Sequence, residues 1–77
     1  MKLQDDLLCK RIGSAIKEDG FLSHCPITVN CLNGTAYLRG KVETPEQRIE
    51  AERIARHTYG VKSVVNELGF YRHSLRG

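Results

Sequence analysis

The sequence lacks the features that mark large or membrane-spanning proteins. It has no tryptophan, one methionine and two prolines, and aromatic residues make up 6% of its 77 positions. No apolar run approaches the ~20 residues that a membrane-spanning helix needs. A chain of this length buries only ~60% of its unfolded surface. We therefore expect one domain of modest stability, without room for a large catalytic cavity.

A strong charge of either sign is also missing, because the net charge is only +3. This balance permits attraction to phosphates or to an anionic membrane surface, and many nucleic-acid-binding proteins are more basic. The first residues, MKLQDDLLCKR, lack the apolar core of a signal peptide. This start is compatible with a cytoplasmic protein or with a mature or excised domain of a longer chain.

The sequence has little cysteine, and its cysteines do not pair in an obvious way. An odd number without a CxxC motif fits free thiols in a reducing compartment better than a disulfide framework: Cys9, Cys25 and Cys31. His24 with Cys25 and Cys31 offers no fourth ligand at a suitable spacing for zinc. We therefore predict no metal site and interpret the three cysteines as structural.

Motifs that carry enzymatic chemistry are absent as well. The sequence contains no P-loop, no GxGxxG dinucleotide fingerprint and no GxSxG nucleophile elbow. The acidic pair Asp5-Asp6 is explained by helix capping, and His57 lies beside Arg56 without a defined catalytic partner. We therefore predict no catalytic residue and no cofactor.

The clearest structural signal is the stretch from Ile27 to Val42, which predicts a β-hairpin. Its Asn33-Gly34 pair separates two runs of alternating apolar and polar residues, and both residues readily adopt the positive φ of a type I′ turn. This turn places Leu32 opposite Thr35. One face of the hairpin then carries Ile27, Val29, Cys31, Ala36, Leu38 and Val42. The other face carries Thr28, Asn30, Leu32, Tyr37, Arg39 and Lys41.

Residues 5 to 18 predict the first helix. Its apolar residues recur at spacings of three and four: Leu8, Ile12, Ala15 and Ile16. Asp5 or Asp6 is expected to cap its N-terminus, and Gly20 is expected to end it. Gly13 weakens the helix by roughly 1 kcal/mol relative to alanine and is interpreted as a mark of close packing.

The connector from Gly20 to Pro26 leaves two possibilities open for Phe21 and Leu22. They fold over the core, or they form an exposed apolar tip. In the second case the tip and the neighbouring helix cations are a candidate for shallow membrane insertion: Lys10, Arg11 and Lys17.

A second helix is predicted to begin after Thr44, with Pro45 at its first position and Gln47 completing a capping box. It extends to about Thr58, and its inward stripe is Ala51, Ile54, Ala55 and Thr58. Because two of these residues are alanines, Gly40 of the second strand is interpreted as allowing helix and sheet to approach closely.

The stretch from Val61 to Phe70 predicts a third strand. The helical crossover favours a right-handed connection and a parallel pairing with the second strand. The expected result is a three-stranded mixed sheet with the second strand in the middle and both helices on one face. Asn66 is polar on the inward side, and we expect it to hydrogen-bond to backbone groups rather than to a ligand.

These elements, taken in order, resemble the BON domain, a family named for bacterial osmotically inducible and nodulation proteins. The matching positions are Val29, Asn33-Gly34, Leu38-x-Gly40-x-Val42, Thr44, Ala51-x-x-Ile54-Ala55 and Gly60-Val61-x-x-Val64-x-Asn66-x-Leu68. Ala36 departs from the family pattern, where a bulkier aliphatic residue is usual. The resemblance covers roughly residues 5 to 70 of a single domain spanning 1–77, and the last residues, Arg72 to Gly77, are expected to form a mobile basic tail.

The resemblance implies an α+β fold of order αββαβ, with two helices packed on one face of a three-stranded mixed sheet. It further implies a non-catalytic domain that binds anionic phospholipid or cell-envelope surfaces, as a monomer or as a module of a longer chain. Family members occur in the periplasm and outer membrane, whereas three cysteines and no signal peptide favour the cytoplasm or an excised domain. The alternative is a protein-interaction or regulatory module that uses its sheet edges or uncovered face.

The candidate binding residues lie on or near the uncovered face of the predicted sheet. Tyr37, Arg39 and Lys41 lie on this face, and Lys62 and Arg72 are expected nearby. Together they combine one aromatic ring with cations that suit phosphate headgroups. An ordinary solvated face would show the same residues. Nucleic-acid binding is disfavoured, since the sheet carries a single aromatic residue and the chain has no GxxG loop of the KH type.

Overall fold

A computed structural model describes residues 3–71, with side chains from Asp5 onward. The elements are α1 (Leu3–Glu18), β1 (Ile27–Leu32), β2 (Thr35–Val42), α2 (Pro45–Arg56) and β3 (Ser63–Phe70). The strands form one sheet in the order β1-β2-β3, in which β1 and β2 are antiparallel and β2 and β3 are parallel. The predicted αββαβ order and the central position of β2 are confirmed. The predicted basic tail, Arg72 to Gly77, lies outside the described residues.

The hairpin has the predicted turn and register. Asn33 and Gly34 have φ values of 51° and 83°, so both adopt the left-handed conformation that a two-residue type I′ turn requires. Leu32 faces Thr35, and Ile27 faces Gly40. Because this register fixes which side chains point inward, it sets the composition of the core.

Both helices cover the same face of the sheet. α1 lies against β1, and α2 lies against β2 and β3. The core joins the inward stripes of the helices to the inward residues of the strands and to Leu22 of the connector: Ile12, Ile16, Leu22, Ala36, Leu38, Val42, Ala51, Ala55 and Leu68. The predicted stripe of α1 is buried at Leu8, Ile12 and Ile16, while Ala15 is half-buried.

The start of α2 is as predicted. The Thr44 hydroxyl accepts a hydrogen bond from the Gln47 amide at 3.1 Å, and the Gln47 side-chain oxygen accepts one from the Thr44 amide at 3.2 Å. The helix ends at Arg56, two residues before the predicted end. β3 begins at Ser63 rather than at Val61.

The connector between α1 and β1 separates the neighbouring residues Phe21 and Leu22. Leu22 is fully buried, whereas Phe21 is 50% exposed. The Phe21 amide donates to the Asp19 carboxylate at 2.8 Å, and the Phe21 carbonyl accepts from the Gln47 side chain at 3.0 Å. Of the two possibilities that the sequence left open, Leu22 therefore folds over the core, whereas Phe21 is exposed.

Two glycines differ from their sequence-based interpretation. Gly40 has a φ of 134°, and a Cβ at this position would collide with the Pro26 carbonyl oxygen and lie 3.1 Å from the Ile27 Cα. The close approach is thus to the backbone that leads into β1, and not to α2. Gly13 has open space instead, since a Cβ there would meet nothing within 4 Å. The interpretation of Gly13 as a site of close packing is wrong.

We expect Gly40→Val to lower the free energy of unfolding by at least ~2 kcal/mol, because the side chain would meet fixed backbone at a positive φ. Gly13→Ala serves as the matched control and should raise it by up to ~1 kcal/mol, through higher helix propensity without a clash. Urea denaturation of the three proteins measures both effects. A Gly40→Val protein as stable as the parent would contradict this account of Gly40.

Candidate binding surfaces

A buried carboxylate from α1 holds the hairpin turn. Asp5 is only 4% exposed, and its two oxygens accept the amides of Asn33 at 3.0 Å and of Gly34 at 3.2 Å. Asp5 lies in the first turn of α1, where the positive end of the helix dipole favours a carboxylate. The predicted capping role is therefore corrected for Asp5, whose oxygens satisfy the donors of the hairpin turn. Asp6, its neighbour, is exposed.

Lys62 joins the same end of the molecule. Its amide donates to the Gly34 carbonyl at 2.8 Å. Its aliphatic stem packs on the turn, since a Cβ on Gly34 would come within 3.0 Å of the Lys62 Cγ and Cδ. The structure thus places Lys62 at the hairpin end, although the sequence grouped it with the uncovered sheet face.

A cavity of about 360 Å³ opens at this end, between α1, the hairpin turn and the connection from α2 to β3. We call it the hairpin-end cavity, and its exposed walls are Leu7, Arg11, Tyr59 and Lys62. Tyr59 is 89% exposed and Leu7 is 43% exposed. The Arg11 guanidinium makes only a long hydrogen bond, 3.5 Å, to the Tyr59 carbonyl. Within residues 5–71, neither Arg11 nor Lys62 forms an ion pair.

The uncovered sheet face carries three of the predicted binding residues. Tyr37 is half-buried, and Arg39 and Lys41 are exposed. The Arg39 Nε donates to the Glu67 carboxylate at 2.8 Å, across the β2–β3 pairing. The pairing of Glu67 with Arg39 depends on the parallel register of β2 and β3, which the sequence does not fix. Arg72 lies outside the described residues.

The free edge of β3 is closed by side chains. The Arg48 guanidinium donates to the carbonyls of Asn66 at 3.2 Å and of Leu68 at 3.1 Å. The Asn66 side chain donates to the Arg48 carbonyl at 3.0 Å and accepts the Leu68 amide at 3.1 Å. The prediction that Asn66 satisfies backbone groups is confirmed. Since an unpaired edge invites a further strand, these contacts protect β3 from such pairing.

Glu52 extends this network from α2. Its carboxylate accepts a hydrogen bond from Arg56, its i,i+4 neighbour on the helix, at 2.9 Å, and another from Asn66 at 3.2 Å. These hydrogen bonds lower the pKa of Glu52. A carboxyl group with a lowered folded-state pKa adds stability above its unfolded pKa and loses that contribution as the pH falls through the folded value.

The three cysteines are free and half-buried. Burial, together with a hydrogen bond to the Cys9 thiol, raises the pKa of Cys31 to about 12. Burial also raises the pKa of Cys25. Because the thiolate is the reactive and metal-binding form, Cys25 and Cys31 are poorly suited to either role at neutral pH. Among the described residues, no cluster of His, Cys, Asp and Glu could hold a metal ion.

The chain that folds into this arrangement of strands and helices matches a known protein family. The family model described as the BON domain matches residues 4–70. This chain belongs to the BON domain family. BON domains are generally non-enzymatic binding domains, so membership supports a non-catalytic function for this chain.

Two known proteins are similar to this chain. An uncharacterized protein in the gshII 5' region of Anaplasma centrale is 35% identical over 66 residues, which cover 86% of this chain and 42% of that protein. A solved structure of CdsD, a structural protein of the type III secretion system of Chlamydia trachomatis, superposes with a TM-score of 0.72. It shares 17% identity over 87% of this chain and 32% of CdsD, so this likeness shows the fold alone. In both cases the chain spans less than half of the similar protein.

No helix in the described part of this BON domain is both long and apolar enough to cross a membrane. At the hairpin-end cavity and on the uncovered sheet face, exposed cations lie beside aromatic or apolar side chains.

Substitution of Asp5 tests whether the hairpin end depends on its carboxylate. We expect Asp5→Ala to lower the free energy of unfolding by about 2 kcal/mol, because it removes the acceptor of the two turn amides and leaves a buried donor unpaired. Asp6→Ala removes the same charge from an exposed position and should change stability by less than ~0.5 kcal/mol. Thermal unfolding of both variants separates the hydrogen bonds from the charge. Equal losses in the two variants would contradict this role of Asp5.

Proposed function

We propose that this BON domain binds anionic phospholipid surfaces through its hairpin-end cavity. The observation that carries the proposal is the position of Arg11 and Lys62, two cations without an ion-pair partner in the described chain, beside the exposed side chains of Leu7 and Tyr59. Cations beside exposed apolar and aromatic groups suit the headgroup region of a bilayer, where both phosphate and acyl carbon are within reach.

The charges support an electrostatic contact of modest strength. Each Lys or Arg close to an anionic membrane contributes about 1 kcal/mol, a contribution that salt screens. The carboxylate of Asp5 also borders the cavity, but it is buried and accepts two amides of the hairpin turn. The two cations, rather than this carboxylate, are therefore the groups that a phosphate would meet first.

The apolar rim supports a shallow contact. Tyr59 follows α2 in an exposed connection, and Leu7 lies on the first turns of α1. Tyrosine is favoured at membrane interfaces, because its ring is apolar and its hydroxyl stays hydrated. A surface that rests on these two residues brings its phosphates toward Arg11 and Lys62.

The uncovered sheet face is the second candidate surface for phospholipid binding. Of its predicted residues, Arg39 is paired with Glu67, which reduces its attraction for a phosphate, while Lys41 forms no ion pair in the described chain. Tyr37 lies on this face as well. The face is thus less basic than its sequence suggested.

Co-sedimentation with vesicles tests the proposal. Vesicles of phosphatidylglycerol and of phosphatidylcholine are compared at low and high salt. We expect salt-sensitive binding to phosphatidylglycerol alone, and Lys62→Gln and Arg11→Gln should each weaken it about fivefold. Tyr59→Ser should weaken it without changing its dependence on salt, because it removes no charge.

Matched variants distinguish this cavity from other basic surfaces. Lys17→Gln removes one charge near the opposite end of α1 and should have a smaller effect than Lys62→Gln. Lys41→Gln tests the uncovered sheet face in the same way. A selective loss in Lys41→Gln would assign the contact to that face, and equal losses in all four charge variants would indicate a dependence on net charge alone. Absence of binding at low salt would refute phospholipid binding by this domain.

A further inference from the structure

The free edge of β1 differs from the protected edge of β3. Within residues 3–71, β1 pairs with β2 alone. The Lys41 amide donates to the Pro26 carbonyl at 3.3 Å, which places position 26 among those that bond to β2. Because bonding positions alternate in an antiparallel pair, the backbone groups of Ile27, Val29 and Cys31 point away from the sheet. β1 has neither a charged residue nor a proline, which are common means of blocking an edge.

A groove of about 330 Å³ runs beside this edge, between β1 and α1. Its walls include Cys9, Gly13, Ile16 and Lys17 on α1, and Ile27 and Val29 on β1. Its lining is mixed, because the apolar side chains of Ile27 and Val29 share it with polar groups that include Ser23 and Lys17. Within the described chain Lys17 forms no ion pair.

Gly13 keeps this groove open. It lies in the middle of α1, where glycine disfavours the helix, and no part of the described chain lies within 4 Å of the position its Cβ would take. The usual structural reasons for a glycine in a helix, a close contact or a positive φ, are not found here. A group from outside the described chain that packs against α1 would explain the missing side chain.

The widths of the two layers indicate what fits the groove. Two packed helices cover roughly 20 Å, since each is about 10 Å across, whereas three strands at ~4.8 Å spacing cover roughly 14 Å. One further strand beside β1 would bring the sheet to about the width of the helix layer. If a second copy of this chain paired through its own β1, its α1 would overlap with the first α1. This overlap disfavours a second copy as the occupant of the groove.

We propose that β1 accepts an extended peptide strand of a partner protein, which pairs with the free edge and lies in the groove beside α1. The outward backbone groups of Ile27, Val29 and Cys31 supply the pairing. Apolar side chains at alternate positions of the peptide face Gly13 and Ile16, and an acidic group at one end meets Lys17. This recognition uses a different surface from the hairpin-end cavity and does not depend on phospholipid binding.

The test is a selection of short random peptides displayed on phage against the whole chain. We expect enriched peptides to carry apolar residues at alternate positions and an acidic residue near one end. A synthetic copy of the most enriched peptide then serves as the probe, and its dissociation constant is measured by fluorescence anisotropy. On binding, the amides of Ile27, Val29 and Cys31 should exchange more slowly with deuterium, as followed by NMR.

Two variants block the proposed site in different ways. Val29→Pro removes one outward amide without removing a hydrogen bond to β2, and Gly13→Leu fills the groove. Each should raise the dissociation constant of the peptide by roughly tenfold or more. Thr28→Ala and Ser14→Leu are the matched controls, because both positions are exposed and neither lines the groove. If Val29→Pro fails to fold, Gly13→Leu with its control Ser14→Leu still decides the question.

Several outcomes would overturn the proposal. They are a selection without enrichment, enriched peptides without the alternating pattern, and a peptide that binds Gly13→Leu as tightly as the parent. Unchanged exchange of the Ile27, Val29 and Cys31 amides on binding would also overturn it, because strand pairing must protect them.

Discussion

The Asp5 carboxylate accepts two hydrogen bonds from the hairpin turn. These bonds join parts of the chain that are 28 and 29 residues apart. Without them, the amides of Asn33 and Gly34 would face α1 with no acceptor of their own. The Gly34 carbonyl in turn accepts the Lys62 amide, so the first helix, the hairpin and the approach to β3 meet around one turn. Bonds to a charged acceptor are stronger than neutral ones, which suits a junction that positions three elements at once. The walls of the hairpin-end cavity are attached to this junction.

The two edges of the sheet show a second constraint. A three-stranded sheet has two unpaired backbone edges, and each is a potential site of unwanted pairing. At β3, the long side chain of Arg48 reaches from α2 over the edge, and Asn66 binds both the helix and its own strand. At β1, α1 presents Gly13 to the groove, and Lys17 lies in the same lining. Among the described residues, no side chain of α1 donates a hydrogen bond to the β1 backbone as Arg48 does to β3.

Local chemistry explains how much of this structure could be predicted from sequence. Asn33-Gly34 and the Thr44–Gln47 capping box are short-range signals, and they fixed the hairpin register and the start of α2. The errors concern contacts between residues far apart in sequence. Asp5 resembled a helix cap because its partners in the hairpin lie far along the chain. Gly40 was assigned to the wrong neighbour, and Arg39 appeared to be a free cation until the parallel register placed Glu67 beside it.

The size of the domain determines where binding can occur. The core is filled by apolar side chains from both layers, and the cavities open at the rim of the molecule, at the hairpin end and beside β1. α1 borders both of them, with Leu7 and Arg11 at one and Gly13 and Lys17 at the other. A change in α1 that keeps Ile12 and Ile16 in the core can therefore alter either surface without altering the fold. Such freedom is expected where binding sites lie on the surface of a fold and not in its core.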